Sequence, residues 1–368
     1  MKKVGIITRH AIPNYGSFLQ SKATEFIIND LGYESEIINY VREDEKEENI
    51  VDTYANSRKL FGRNILTKFA YRVIQGSNLK RMNKVFKEYR NKYLKISDMV
   101  SSSDELKKIC NYDIYCTGSD QVWGKIGNDN FDKNYFLDFV PENAKCISYA
   151  ASFGKTQLTD DVKSDIVNLV RKYSTVLVRE DSAVKFLKDS GVKNVKQVLD
   201  PTFLVSPDRW ESIIEKKEIK KPYYLVYQLH HNKDFEKYIK KVKKETNAEI
   251  YRINPSIYFK FKPGKFIYLP TPGEFLYLIK NAEGIFTDSF HGTAFSIAFN
   301  KQFVDFLPKL TGTRIQSILR VFGLEDRIVT DYNNVKVIDK KIDYTRVNLI
   351  LAEEKKKSLD LLKGALDE

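Results

Sequence analysis

Short apolar runs alternate along the chain with longer segments whose apolar residues recur every three or four positions. The runs are typical of buried strands, and the longer segments are typical of amphipathic helices. In the N-terminal half, helices are predicted at 18–32, where Gly32 ends the helix, and at about 159–172. The predicted strands of this half are 3–8, 33–40, 113–118, 145–154, 174–180 and 194–205. Strands that alternate with helices indicate an α/β fold.

The same alternation begins again after residue 222. Thr271 is the expected N-cap of one helix in this half, with Pro272 at the first helical position. A second helix is expected to end at Gly323. The predicted strands are 222–229, 248–254, 284–287 and 302–307, and the predicted helices are 233–246, 271–282, 292–300 and 313–324.

The two halves predict two Rossmann-like domains that face a cleft, over residues 1–206 and 207–345. Residues 206–222 are the expected hinge, because the strand pattern lapses there and the charge density rises. A Lys-rich amphipathic helix is predicted at 346–368. In open α/β sheets, ligands bind at the carboxyl ends of strands, so the loops that lead into helices are the candidate sites.

A helical insertion is predicted within the first domain, over about 42–108. Residues 58–92 hold eleven Lys and Arg residues and a single acid, Glu88. This charge pattern predicts a helix with one strongly basic face. Apolar residues recur at helical spacing through its first half, and they are Leu60, Phe61, Ile65, Leu66, Phe69 and Val73.

Hydrophobic residues make up 42% of the 368 residues, which excludes a wholly disordered chain. The net charge of +12 suits anionic partners, although a lysine-rich, well-solvated surface explains it equally. No apolar stretch reaches the 18 or so residues of a membrane span, and the N-terminal run is too short for a signal peptide. We therefore expect a cytoplasmic protein, peripheral at the inner membrane face. Cys110, Cys116 and Cys146 are expected to be reduced, buried thiols.

The stretch 287–293 is the first candidate for chemistry. A predicted strand ends there and a helix begins, so His291 is expected near a helix N-terminus that favours an anion. Gly292 permits close backbone approach, and an imidazole can shuttle protons near neutral pH. The alternative is a histidine that caps the helix or packs in the core.

Two further loops carry polar side chains suited to a sugar or a phosphate. In the first, Ser119, Asp120 and Gln121 precede Trp123, which predicts polar groups beside an exposed aromatic ring; a turn with Trp123 in the core is the alternative. In the stretch 12–20, which lacks the glycine spacing of a dinucleotide site, backbone N–H groups are suited to cradle a phosphate. The residues singled out there are Asn14, Gly16 and Gln20.

Cationic side chains follow two other predicted strands. Arg179 ends one strand and offers a guanidinium fork for a carboxylate or phosphate, unless it pairs with Glu180 or Asp181. Lys309 and Arg314 lie in the loop that follows the strand after His291. His230 and His231 also end a strand, but without carboxylates at ligand spacing they predict no metal site. We expect no metal and no cofactor.

Six motifs together resemble the polysaccharide pyruvyl transferase family over residues 4–325. They are "NYGSFLQ", "TGSDQVW", "SYAASFG", "VLVRE", "LDPTFLV" and "TDSFHGTAFSIAFNKQFV". The resemblance implies a GT-B-like fold and transfer of pyruvate from phosphoenolpyruvate to a sugar, usually as a cyclic ketal. It also implies a nucleotide- or lipid-linked saccharide acceptor.

The resemblance further implies roles for single residues. His291 matches the catalytic histidine, Arg179 an arginine that contacts the donor anion, and Lys309 a lysine beyond the histidine helix. Better-known members carry Arg-Leu-His at the turn where this chain has Ser289, Phe290 and His291. Arg314 or the basic insertion is the expected replacement for the missing guanidinium. Ser289 and Gly292 complete the predicted donor site.

Three functions are compatible with these observations. The leading hypothesis is a pyruvyl transferase that acts on a cell-surface polysaccharide precursor. The alternative is a GT-B glycosyltransferase that uses a nucleotide sugar, since one fold serves several functions. A basic module that binds nucleic acid or a membrane is the third. We expect no nucleic-acid partner and a peripheral membrane contact through residues 58–92.

Overall fold

The computed structural model describes residues 1–56, 64–109, 111–126, 131–154, 159–309 and 311–368. The chain divides into two compact units. Unit 1 comprises Met1–Leu204 together with Lys357–Glu368, and unit 2 comprises Val205–Lys356. Cys110 and the insertion residues Leu60 and Phe61 lie outside the described residues.

Unit 1 contains a six-stranded parallel sheet in the order β2-β1-β3-β4-β5-β6. The strands are β1 (Lys3–Ile7), β2 (Glu34–Ile37), β3 (Ile114–Thr117), β4 (Lys145–Ala151), β5 (Thr175–Val178) and β6 (Val195–Gln197). The chain moves outward from β1 to β2 and then returns to the other side of β1 with β3. The strand order therefore reverses between β1 and β3, and ligands bind at such a switch point in open α/β sheets.

The helices of unit 1 join these strands. They are α1 (Tyr15–Asp30), α2 (Ile50–Asn56), α3 (Ile65–Tyr93), α4 (Ser103–Ile109), α5 (Asp160–Val170), α6 (Asp181–Asp189) and α7 (Pro201–Leu204). Helix α1 begins three residues before the predicted start, because the Asn14 side chain accepts hydrogen bonds from the N–H groups of Gly16 and Ser17. The sequence pattern missed α6.

Unit 2 contains a five-stranded parallel sheet in the order β11-β10-β7-β8-β9. The strands are β7 (Tyr224–Tyr227), β8 (Ile250–Asn254), β9 (Lys265–Tyr268), β10 (Gly284–Thr287) and β11 (Gln302–Asp305). Here the order reverses between β7 and β10. The sequence pattern missed β9, whose four residues are all at least partly exposed. The prediction of an α/β fold with parallel sheets is confirmed in both units.

Two helices of unit 2 carry the predicted boundary signals. Thr271 and Glu274 form a capping box, and Gly323 adopts a left-handed conformation (φ 62°) where its helix ends. The helices are α8 (Pro207–Trp210), α9 (Lys233–Thr246), α10 (Pro272–Lys280), α11 (Phe290–Ala298), α12 (Thr313–Phe322) and α13 (Tyr344–Asp367). Helix α13 begins in unit 2, and its last residues belong to unit 1.

Each unit has its own apolar core. In unit 1, Trp123 stacks on Phe136 with ring centroids 5.3 Å apart, and in unit 2 Phe235 stacks on Phe306 at 3.8 Å. Cys116 and Cys146 are free, buried thiols, as predicted, and burial raises the pKa of Cys116 to about 12. None of the helices in the described part of the chain is both long and apolar enough to cross a membrane.

Candidate active site

His291 lies at the carboxyl edge of the second sheet, beside the switch point between β7 and β10. Strand β10 ends at Thr287, and α11 begins three residues later at Phe290. Ser289 is the N-cap, and its Oγ accepts a hydrogen bond from the N–H of Gly292 at 3.3 Å. His291 is the second residue of the helix, and its buried ring packs perpendicular to that of Phe290 at 5.2 Å. The imidazole is thus held at the positive end of the helix dipole.

Gly292 lets this helix approach the sheet closely. A Cβ atom at this position would lie 2.3 Å from Thr287 Oγ1 and 3.1 Å from a ring carbon of Tyr227. The Thr287 hydroxyl itself donates to the Tyr227 carbonyl oxygen and accepts from the N–H of Ser289. The close approach predicted for Gly292 is therefore an approach to the chain's own strands, and its predicted contact with the donor stays a prediction.

Asp288 joins the two loops that flank the switch point. Its carboxylate accepts hydrogen bonds from the N–H groups of Leu229 and His230, at 2.6 and 2.9 Å. The Nδ1 atom of His230 lies 3.2 Å from the same carboxylate. Asp288 is only 3% exposed, so this buried carboxylate fixes the loop after β7 against the loop after β10.

Asp305 is a second buried carboxyl group at this edge, at the end of β11. Its Oδ1 accepts a hydrogen bond from Thr293 Oγ1 of α11 at 2.8 Å. Its Oδ2 has no hydrogen-bond partner among the described residues. Burial, with a further contribution from nearby Asp288, raises the pKa of Asp305 well above its usual range. The buried Asp305 carboxyl group ties α11 to β11 through this hydrogen bond.

The predicted cations of unit 2 follow β11, which pairs with β10. Lys309 is exposed, and Arg314 occupies the first turn of α12 with a partly buried side chain. Five predicted site residues thus belong to unit 2, on the loops or first helical turns that follow the adjacent strands β10 and β11. They are Ser289, His291, Gly292, Lys309 and Arg314. Arg179, the remaining predicted donor residue, belongs to unit 1.

A network of hydrogen bonds surrounds the switch point of the first sheet. The Ser17 hydroxyl of α1 donates to Asp120 Oδ2 at 2.6 Å. Gln20 Nε2 donates to Thr8 Oγ1 at 2.9 Å, and Thr8 in turn donates to the Ser119 carbonyl oxygen at 2.7 Å. The structure thus brings together the predicted residues of the loops after β1 and β3.

Arg179 lies at the centre of a buried ionic cluster in the same unit. Its Nη1 donates to Asp200 Oδ2 at 2.8 Å and its Nε to Glu180 Oε1 at 3.2 Å. The Ser119 hydroxyl donates to the same Asp200 oxygen, and Asp120 also contributes a favourable charge. The pairing with Glu180 considered from sequence is confirmed, but the ion pair is buried rather than at the surface, because the Arg179 side chain is 1% exposed. With these carboxylates around it, Arg179 is ion-paired rather than open, and its role in donor binding stays a prediction.

Trp123 does not form the predicted exposed platform. The ring is fully buried, and its Nε1 donates to the Tyr135 carbonyl oxygen at 3.1 Å. Gln20 is fully buried as well, and its amide is bonded to Thr8, Ser17 and Ser21. Both predictions of direct sugar contact conflict with this burial, because the interior position leaves no side-chain surface for a ligand.

The other predicted acceptor residues serve the local backbone. Asn14 caps α1 and Gly16 donates to it, whereas Asp120 has a positive φ of 77° and bonds the N–H of Gln121. Gln121 packs against Gly154. A Cβ atom added at Gly154 would lie 2.4 Å from Oε1 of Gln121. Ser119 instead donates to Asp200, and any ligand contact by these five predicted residues remains a prediction.

Sequence reasoning missed several residues that the fold brings to these two edges. Four acidic residues make the buried carboxylate contacts described above but were not predicted as site residues. They are Glu180, Asp200, Asp288 and Asp305. The available signal was a carboxylate next to a strand end, as in "VRE" and "TDSF". In the described part of the chain, no group of three or more His, Cys, Asp or Glu side chains is arranged to hold a metal ion.

Comparisons with known proteins agree with this architecture. The family model described as polysaccharide pyruvyl transferase matches residues 14–307. A search of curated proteins gives no significant match. Among solved structures, MnaA of S. aureus, in a co-structure with UDP, aligns with a TM-score of 0.53 at 13% identity, covering 100% of this chain and 97% of that one.

Two further structures are similar. The UDP-GlcNAc 2-epimerase of Methanocaldococcus jannaschii aligns with a TM-score of 0.51 at 14% identity, covering 92% of this chain and 91% of that chain. UGT89C1 of Arabidopsis thaliana, complexed with quercetin, gives a TM-score of 0.53 at 8% identity, covering 99% and 98%. At these identities the likeness concerns the fold alone, which is of the GT-B type.

Proposed function

The chain belongs to the polysaccharide pyruvyl transferase family, which is a family of enzymes, and we propose that it transfers pyruvate from phosphoenolpyruvate to a sugar of a cell-surface polysaccharide precursor. The reaction forms a ketal and releases phosphate. The observation that carries the proposal is the position of His291, buried in the first turn of α11 beside a switch point. A helix N-terminus favours an anion, and an imidazole can donate and accept a proton.

In the proposed reaction, the protonated imidazole of His291 donates to C3 of phosphoenolpyruvate, which leaves an oxocarbenium-like centre at C2. A sugar hydroxyl attacks C2 and gives its proton to the neutral imidazole. The C2–O bond to phosphate then breaks, and phosphate leaves with the bonding electron pair. A second hydroxyl of the same sugar adds to C2 and closes the ketal, and its proton goes to the departing phosphate.

The donor carries a carboxylate and a phosphate, which need cationic partners. Lys309 and Arg314 support the proposal, because they follow the strand next to β10 in the same unit as His291. The turn has Ser289 where better-known members have arginine, so these two side chains are the proposed replacement. Arg179 stays a predicted donor ligand from unit 1.

We further propose that the acceptor is linked to a nucleotide or lipid and that α3 contacts an anionic membrane face. The support is a row of exposed apolar residues in the first half of α3, beside the basic side chains Lys68 and Arg72. A helix with both features binds anionic lipid surfaces. The apolar residues, with their exposed fractions, are Ile65 (85%), Leu66 (79%), Phe69 (63%), Val73 (68%) and Ile74 (62%).

Vesicle flotation tests this contact. Binding to vesicles that contain phosphatidylglycerol is expected to weaken when four exposed basic residues of α3 are changed to Gln, namely Lys80, Arg81, Lys84 and Lys87. The matched control changes four exposed lysines of α9 to Gln, namely Lys237, Lys240, Lys243 and Lys244. Equal binding by both quadruple variants and the unchanged protein would refute the contact.

The activity is tested by product analysis. The protein is incubated with phosphoenolpyruvate and a panel of UDP- and GDP-linked sugars, and free phosphate is measured beside the mass of the sugar nucleotide. Pyruvyl transfer predicts phosphate release that depends on the acceptor, with a mass gain equal to one ketal-linked pyruvate. Release of UDP or GDP without consumption of phosphoenolpyruvate would instead support the glycosyltransferase alternative.

A further inference from the structure

A small cavity opens at the carboxyl end of β1, where the strand order of the first sheet reverses. It has a volume of about 190 Å³. Its lining includes the apolar residues Ile12, Pro13 and Ile50 and the charged residues Arg9 and Glu45. The cavity therefore lies where open α/β sheets bind their ligands.

Two polar groups that line this cavity have hydrogen-bonding capacity that the protein does not use. Arg9 Nη2 lies 2.9 Å from Glu45 Oε1, yet the buried atoms Arg9 Nε and Glu45 Oε2 have no hydrogen-bond partner among the described residues.

Unused buried polar atoms indicate a ligand, because leaving such an atom unpaired costs about 1–3 kcal/mol. The Glu45 side chain is 9% exposed, so bulk solvent offers little compensation. A carboxylate accepts hydrogen bonds from hydroxyl groups, and a guanidinium donates to them. An anion is disfavoured here, because Glu45 already pairs with Arg9 and Asp44 also lines the cavity.

We propose that this cavity binds one sugar ring of the acceptor, with Glu45 and Arg9 bonded to its hydroxyl groups. Ile12, Pro13 and Ile50 pack against the apolar C–H face of the ring. The inference rests on the proposed function for the identity of the ligand. It assigns sugar contact to residues other than Trp123 and Gln20, which are buried away from any ligand.

Saturation-transfer NMR with the methyl glycosides of glucose, galactose, mannose and N-acetylmannosamine tests the proposal. We expect saturation transfer to at least one glycoside and a loss of affinity of about tenfold or more in Glu45→Gln, because a bond to a charged group is lost. The matched control is Glu43→Gln, two positions before Glu45 in the chain. The Glu43 side chain is 68% exposed and pairs with Lys46. This control is expected to bind like the unchanged protein.

A second variant, Ile12→Trp, fills the cavity without altering its charges and is also expected to abolish saturation transfer. Circular dichroism verifies that both variants are folded. Absence of transfer to the unchanged protein, or unchanged affinity in folded Glu45→Gln, overturns the proposal.

The donor is tested separately by calorimetric titration with phosphoenolpyruvate. If phosphoenolpyruvate fails to bind while the glycosides bind in a Glu45-dependent manner, the proposed function fails and the sugar site stands. If phosphoenolpyruvate binds and Glu45→Gln leaves glycoside binding unchanged, the sugar site fails and the proposed function stands.

Discussion

The imidazole of His291 has to give a proton to the donor and take one from the acceptor in the proposed chemistry. His291→Ala removes both steps, so kcat is expected to fall about a hundredfold or more. The assay is phosphate release from phosphoenolpyruvate in the presence of the acceptor. His291→Gln keeps a polar side chain of similar length but cannot titrate, and it is expected to be equally slow.

Thermal unfolding of both His291 variants serves as the control, since the ring is buried and its loss can disturb α11. An unfolding temperature close to that of the unchanged protein, together with slow turnover, assigns the effect to chemistry. Full activity in a folded His291→Ala protein would contradict the proposed mechanism.

The raised pKa of Asp305 predicts how the stability of the protein depends on pH. Its pKa is raised in the folded protein, so the folded state keeps a proton that the unfolded state releases. The stability contributed by this proton is complete below the unfolded pKa, about 3.8, and is lost as pH rises through the folded pKa. Asp305→Asn keeps the hydrogen bond from Thr293 without that proton, so it is expected to stabilise the protein increasingly from pH 5 to pH 8.

Urea unfolding at pH 5 and pH 8 measures the free-energy difference between Asp305→Asn and the unchanged protein. A difference that favours the variant and grows with pH agrees with a raised pKa of Asp305 in the folded protein. A difference that stays the same from pH 5 to pH 8 would show that this pKa is not raised.

At the residue scale, the sequence pointed to His291 because a small-residue turn at a strand end is a local signal. Its partners were harder to foresee. Asp305 reaches Thr293 only because β11 lies beside β10 in register, with Asp305 opposite Thr287. Trp123 was placed at the surface because polar neighbours in sequence do not reveal which side chains the fold turns inward.

At the scale of the element, α11 depends on the absence of a side chain at Gly292. In Gly292→Ala the new Cβ overlaps the Thr287 hydroxyl, so the helix must shift away from β10. Such overpacking is expected to destabilise the protein by about 1–3 kcal/mol. The shift also displaces His291, so turnover is expected to fall.

Gly364→Ala is the matched control for Gly292→Ala. Gly364 lies within α13, and a Cβ atom there would meet nothing within 4 Å. Removing a helical glycine at an open position is expected to stabilise by about 0.5–1 kcal/mol. Both variants are compared by urea unfolding, and a Gly292→Ala protein as stable as the unchanged one would contradict the close packing of α11.

The boundaries of helices and strands were predicted correctly where the sequence carries a strong capping signal. The prediction failed where tertiary packing determines the boundary. Thr271 and Gly323 marked a helix start and a helix end correctly. Helix α1 began earlier than predicted because Asn14, first considered as a ligand residue, is its cap. Strand β9 has no fully buried residue, so it lacks the apolar run by which the other strands were recognised.

At the scale of the whole molecule, the end of α13 completes unit 1. Leu362 and Leu366 are fully buried, and Ser358 Oγ accepts a hydrogen bond from the N–H of Leu199 at 3.0 Å. Leu366→Ala is therefore expected to destabilise the protein by about 2–5 kcal/mol. Leu349→Ala, at a position of the same helix that is 66% exposed, is expected to change stability by less than about 0.5 kcal/mol.

Hydrogen exchange locates the effect of Leu366→Ala. Faster exchange of the β1 amides, which belong to unit 1, agrees with a helix end that is part of that core. Equal exchange of β1 in both leucine variants, or equal stability, would show that the C-terminal residues do not support unit 1.

The α/β class of the whole molecule was readable from sequence, because the alternation of strands and helices repeats in both halves. The strand orders could not be predicted from sequence, because no local sequence signal shows that β3 lies beside β1 or that β10 lies beside β7. Those two reversals define the edges where His291 and the cavity at Arg9 lie. The sequence could therefore assign the candidate sites to loops. It could not predict their contacts, because these depend on which strands are neighbours in each sheet.

Calorimetric titration shows whether phosphoenolpyruvate is the donor. The purified protein is titrated with phosphoenolpyruvate, UDP and GDP at two salt concentrations. We expect phosphoenolpyruvate to bind, and to bind more weakly in His291→Ala and in a variant with Lys309 and Arg314 changed to Gln. Binding of UDP or GDP with no binding of phosphoenolpyruvate would contradict it and would favour a nucleotide-sugar glycosyltransferase.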